Sequence, residues 1–171
     1  AVYGVRALQL LRQAGVETHL IATRPGLMTL LHEMDMRPLE LKALADYSYN
    51  PNDIAAAISS GSFRTDGMLI APCSIKSLSE IANGITGTLL PRAADVSLKE
   101  RRPLVLMVRE TPLHLGHLRT MAQLSEIGAV IMPPAPAFYA KPATIAELVD
   151  HSVGRMLDHF DIDVGTVKRW A

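Results

Sequence analysis

The segment that most constrains this chain is residues 103–109, where Leu104, Val105, Leu106, Met107 and Val108 run without a polar break between Pro103 and Arg109. Five consecutive apolar residues are too few for a buried helix. They suit a strand enclosed on both faces, as in the parallel sheet of an α/β protein. A second run of this kind occupies residues 67–72, and further strands are predicted at 16–23 and 129–132. Amphipathic segments lie between them. Val5, Leu8 and Leu11 share one helix face over residues 1–12, and Pro25 opens a helix through Leu27, Leu30 and Leu31. Further helices are expected at 75–83, 90–100, 114–127 and 145–160, with a short one over 53–59 that stops before Gly61. Residues 35–53 are the least regular, broken by Pro38 and by the turn Asn50-Pro51-Asn52. Strands alternating with helices imply a parallel sheet covered on both faces, with a ligand site beyond the carboxyl ends of the strands.

Composition narrows the function. Lys plus Arg and Asp plus Glu are each 17, so the formal charge is zero and no basic field suits nucleic acid. Among 171 residues, 49% are apolar and 5% aromatic, which fits one aliphatic-cored domain. Cys73 is the single cysteine, so neither an intrachain disulfide nor a cysteine zinc cluster can form. No apolar run approaches a membrane span, and a reducing, cytoplasmic setting fits best. The chain opens directly on a helix, an unusual start for an α/β protein. A strand and a glycine-rich turn are expected ahead of Ala1.

Polar residues gather at three predicted strand ends: Thr23 and Arg24, then Cys73 through Ser77, then Arg109, Glu110 and Thr111. Ser74 and Ser77 at a helix start set hydroxyls beside free backbone N–H groups, which suits a phosphate or a flavin edge. The competing reading makes Ser74 only a helix cap. Arg109 closes an apolar strand, where a guanidinium needs either an anionic ligand or a structural carboxylate; Glu110 is expected on the opposite face. Cys73 lacks an activating partner and reads best as a small buried filler. His114 and His117 share a spacing compatible with a metal, yet no acid nearby completes the set. The basic run Lys99, Arg101, Arg102 reads as a solvated helix end or as a phosphate contact.

Several segments in order, Ser60 to Phe63, Ala71 to Ser77, Arg92 to Val96, Leu98 to Val105, Arg109 to Leu113 and Pro136 to Tyr139 with Pro142, together with Arg155, Arg169 and Trp170, resemble the UbiX-type flavin prenyltransferases. The resemblance covers essentially the whole chain. It implies a flavodoxin- or Rossmann-like three-layer α/β fold with a central parallel sheet, and one flavin-binding domain over residues 1–171 whose first strand is missing. It implies transfer of a dimethylallyl group from dimethylallyl monophosphate to N5 and C6 of reduced FMN. The product, prenylated FMN, would serve a UbiD-type decarboxylase, as in ubiquinone synthesis, and no metal is needed. It further implies a homododecamer with active sites at subunit interfaces.

Residue by residue, the resemblance gives FMN contacts to Thr23, Ser74, Ile75, Lys76, Ser77 and Arg109. It gives the prenyl phosphate to Tyr139, Arg155 and Lys99, with Arg92 in support and Trp170 as a neighbour, and catalytic roles to Glu110, Lys99 and Glu33. Pro91 and Lys141 depart from the family's commoner residues near the site. Two other readings compete: a flavin carrier or accessory subunit of an aromatic-acid decarboxylase, and a flavoprotein cysteine decarboxylase. The run Arg109 to Pro112 with Phe138 and Tyr139 favours prenyl transfer over the second. Keeping Lys99, Glu110, Tyr139 and Arg155 together favours it over the first.

Overall fold

The structure is a computed structural model that describes residues 1–169. It divides into two compact units, one formed by residues 49–133 and the other by residues 1–48 with 134 onward.

Residues 49–133 are built on three parallel strands, β3 (Met68–Cys73), β4 (Leu104–Val108) and β5 (Val130–Ile131), with β4 in the centre. The register aligns Leu69 with Val105 and Val105 with Val130. All five side chains of β4 are buried, four of them completely. That enclosure explains the unbroken apolar run: with a neighbour strand on each edge and packing on each face, no position tolerates a polar group. The connections are helical. Chain from β3 to β4 passes through α4 (Ile75–Ala82) and α5 (Leu89–Lys99), and α6 (Leu115–Glu126) joins β4 to β5. α4 packs against both α5 and α6. Its buried residues Leu78, Ile81 and Ala82 fall at the three- and four-residue spacing of a single helix face.

In the other unit, α1 (Val2–Gln13) packs on α7 (Ile145–Leu157), and the bidentate pair Arg6–Asp150 joins them at 2.6 and 2.9 Å. Val5 and Leu8 share a cluster with Leu30 of α2 (Arg24–Met34) and Leu41 of α3 (Pro38–Lys42). β1 (His19–Ile21) pairs with β2 (Tyr47–Tyr49). Asp46 fixes that pairing by accepting from both the N–H and the hydroxyl of Thr18, at 2.7 and 2.9 Å.

Several expected boundaries move. The irregular stretch 35–53 contains α3 and β2, which their length of five and three residues left below any detectable period. The helix expected at 53–59 is one 3-10 turn, Ala57–Ser59. The Asp53 carboxylate accepts from Ala55 N–H at 3.1 Å, a local bond that competes with helical pairing. β4 stops at Val108, so Arg109 and Glu110 lie beyond the ladder. Both are exposed, and strand alternation does not separate them.

Candidate functional site

Within residues 49–133, β3 and β4 run parallel and end side by side. Arg109 donates its N–H to the Cys73 carbonyl at 3.4 Å, which brings the residue after β4 next to the turn that opens α4. Ser74 is the N-cap of α4: its Oγ accepts from Ser77 N–H at 3.2 Å, and the Ser74 and Ser77 hydroxyls bond to each other at 3.2 Å. The capping reading is therefore correct, but it does not use up the helix end. The N–H groups of Ile75 and Lys76 have no acceptor within the helix, because a first turn lacks preceding carbonyls. These donors and the positive end of the helix dipole suit an anionic or electron-rich ligand edge. Lys76 turns away to pair with Glu80 at 3.1 Å and is largely exposed, so its contribution to such a ligand is its backbone.

The Arg109 guanidinium is exposed and has no side-chain partner among the described residues. Of the two alternatives left open by the sequence, the structural ion pair is absent among those residues. Glu110, also exposed, accepts from Thr111 N–H at 3.1 Å. Cys73 is fully buried, and burial pushes its thiol up to about 12, which removes it as a nucleophile at neutral pH. His114 caps α6 through Nδ1, accepting from Gly116 and His117 N–H, and its ring stacks on His117. Among the described residues no group of three metal-ligating side chains forms.

Lys99 ends α5 and pairs with Glu100, whose carboxyl it holds below the usual carboxylate range. Arg92, about two turns earlier in the same helix, donates to the Ser59 carbonyl at 3.1 Å and meets Asp95 at 3.5 Å.

In the other unit, Thr23 and Glu33 sit at opposite ends of α2. Thr23 is its N-cap, accepting from Gly26 N–H at 3.2 Å. Glu33 is exposed in the last turn and accepts from the Ala1 amino group. Tyr139 lies on the 3-10 turn Phe138–Ala140, with its ring edge-to-face against His151, centroids 5.7 Å apart. Arg155 is four residues beyond His151 on α7 and reaches Asp158 at 2.6 Å. Asp158 also binds Arg169 at 2.8 Å, so one carboxylate serves two guanidinium groups and lines a polar cleft with them. Arg155 keeps further N–H donors for a second anion. Trp170 lies outside the described residues.

Sequence reasoning missed His151. It is 6% exposed, and its Nε2 has no hydrogen-bond partner among the described residues. Its spacing of four from Arg155 was the available signal. Asp158, three residues after Arg155, carried a similar one.

The Flavoprotein family matches residues 1–169, so the class is that of flavin-binding α/β proteins. A flavin prenyltransferase UbiX of Thauera aromatica is 54% identical over 170 residues, covering 99% of this chain and 88% of that protein. Among solved structures, a UbiX protein in complex with FMN and dimethylallyl pyrophosphate superposes with a TM-score of 0.98 at 52% identity, covering 99% of this chain and 90% of that one. A dodecameric FMN-dependent UbiX-like decarboxylase from Escherichia coli O157:H7 gives 0.96 at 47% identity, covering 99% and 92%. This chain belongs to the UbiX-type flavin prenyltransferase family, and its fold is flavodoxin-like.

Proposed function

We propose that this chain is a flavin prenyltransferase, transferring the dimethylallyl group of dimethylallyl monophosphate to N5 and C6 of reduced FMN. The observation that carries the reading is the meeting of Arg109 with the Ser74-capped start of α4 at adjacent strand ends. An exposed arginine whose backbone adjoins uncommitted helix N–H groups matches a flavin, which offers carbonyl and ring-nitrogen acceptors and a phosphate. The residues that would hold FMN are Thr23, Ser74, Ile75, Lys76, Ser77 and Arg109. Reduced FMN supplies an electron-rich ring system as the acceptor of the prenyl group.

The prenyl donor needs the other set. As the allylic C–O bond breaks, negative charge grows on the departing phosphate. Arg155, Lys99 and Tyr139 are of the types that stabilise it by charge and hydrogen bonding. The family resemblance assigns Arg92 and Trp170 to the same donor. The Glu110 carboxyl is suited to deliver a proton to a phosphate oxygen, and Glu33 is the second acid assigned to the reaction. The Lys99–Glu100 pair opens when a more highly charged phosphate competes for the ammonium. Excluding water and holding the two reactants face to face supply the rest of the rate.

One flavin-binding domain over residues 1–171, acting in a homododecamer with sites at subunit interfaces, completes the proposal; the dodecameric relative supports the assembly. The product would pass to a UbiD-type decarboxylase, as in ubiquinone synthesis. A cytoplasmic location suits the lone, buried thiol; no helix among the described residues is long and apolar enough to cross a membrane. Anaerobic incubation with reduced FMN and dimethylallyl monophosphate tests the activity. A bound flavin heavier by one dimethylallyl group is expected. A flavin of unchanged mass would leave the protein a carrier.

A further inference from the structure

The basic run at residues 99–102 is a solvated helix end at Lys99, Glu100 and Arg101, all exposed, but not at Arg102, which is half-buried. α5 closes with two bonds, Arg101 N–H to the Leu98 carbonyl at 3.0 Å and Arg102 N–H to the Ser97 carbonyl at 2.8 Å. This is the Schellman arrangement, which needs a left-handed residue just past the helix. α4 and α6 close the same way, with Gly84 and Gly128 in that place. In α5 the place is held by Arg101, at φ 56°, a conformation that costs an L side chain energy.

The turn carries Arg102 onto the segment 59–63. Its Nη2 donates to the Gly61 carbonyl and its Nη1 to the Phe63 carbonyl, each at 2.7 Å. Arg92, from within α5, takes the Ser59 carbonyl of the same segment. Three alternate carbonyls of a five-residue loop are thus bound by two guanidinium groups. Between them Gly61 lies against the end of α5: a Cβ there would stand 2.6 Å from Lys99 Nζ and would also collide with the Glu100 carboxylate. The loop is therefore the surface on which the Lys99 ammonium rests. Three of its carbonyls are engaged by arginines.

We infer that Arg102 is a positioning residue for prenyl-phosphate binding, acting through the 59–63 loop on Lys99. This rests on the prenyl-transfer reading, in which Lys99 meets the departing phosphate. Arginine is required because two carbonyls 2.7 Å away are engaged by one planar fork, which an ammonium cannot reproduce.

The test uses the FMN-loaded enzyme and the variants Arg102→Gln and Arg102→Lys. In both, KM for dimethylallyl monophosphate rises about tenfold or more, as expected when a binding group is misplaced by a fraction of an ångström. FMN affinity stays within about threefold in this reading, while kcat/KM for the donor falls at least as far as KM rises, because Lys99 also meets the charge that grows on the departing phosphate. Full recovery in Arg102→Lys overturns the bidentate role, and so does an unchanged KM in a folded Arg102→Gln. Should Arg102→Gln fail to fold, Gly61→Ala sets a methyl against the Lys99 ammonium and the Glu100 carboxylate and must raise the same KM. A normal KM in Gly61→Ala then overturns the inference. Calorimetric titration of dimethylallyl monophosphate into the FMN-loaded protein separates the two levels. If the unaltered protein makes no prenylated flavin, the activity is wrong, while loss of donor binding in Arg102→Gln alone still supports the arginine.

Discussion

Arg109 N–H and the Cys73 carbonyl, 3.4 Å apart, tie the residue leaving β4 to the last residue of β3. That bond brings the residue following one strand next to the helix start that follows the other. Replacing Arg109 by Leu leaves the backbone bond in place and removes only the cation. Because the side chain is exposed, the melting temperature should hold. FMN affinity should fall by about 1.5–3 kcal/mol, the worth of a charged hydrogen bond. Quenching of flavin fluorescence on binding measures it.

Arg155 and Arg169 share the Asp158 carboxylate, and the hydrogen bond from Arg169, followed by that from Arg155, holds it below the ordinary aspartate range. A group depressed in the folded state stabilises above its unfolded value and loses that contribution as pH falls through the folded one. Asp158→Asn should therefore flatten the acid limb of the stability profile below about pH 4. Urea titrations at stepped pH read this. Arg155→Ala should keep FMN binding and weaken the prenyl donor. Equal loss of both ligands contradicts the role given to Arg155.

Cys73 behaves in the opposite sense. Its buried thiol, pushed up to about 12, keeps its proton where the unfolded chain has lost one. Stability is unaffected below the unfolded thiol value of about 8.5 and declines as pH rises beyond it. Cys73→Ala should remove that alkaline decline, with about 1 kcal/mol lost at neutral pH from the smaller side chain. In the native protein iodoacetamide should leave Cys73 unmodified at pH 8. Rapid labelling there would mean that the site opens.

Arg101 sits where α4 and α6 use glycine. Arg101→Gly relieves the left-handed strain and should stabilise the fold by about 1 kcal/mol, less the entropy glycine adds to the unfolded chain. A higher midpoint in urea with unchanged slope is the expected result. If stability falls instead, the Arg101 side chain makes contacts that outweigh its backbone strain.

The parts of this fold that were legible in the sequence are those with local chemistry. The apolar run of β4, Ser74 ahead of α4 and Gly128 behind α6 each announce an element within a few residues. β2 was illegible because Tyr47 to Tyr49 is held by a partner some 28 positions away, through Asp46 and Thr18. In the site, Ser74 and Arg109 stood out as polar groups at strand ends. The Arg102 contacts did not, for their acceptors are backbone carbonyls about 40 residues earlier and carbonyls leave no mark in residue type. His151 was hidden for a related reason: a histidine on the buried face of a helix looks like packing until the ring opposite it is known.

The enclosure of β4 has a bearing on how such a protein can diversify. A strand sealed along its whole length cannot acquire a new contact to a ligand by drift, since any polar newcomer from Leu104 to Val108 is purged for its cost to the core. Heritable change in what the site accepts is funnelled into the few positions after Val108. Selection for a new substrate should therefore yield its first variants at Arg109 to Leu113, while the strand beneath stays silent.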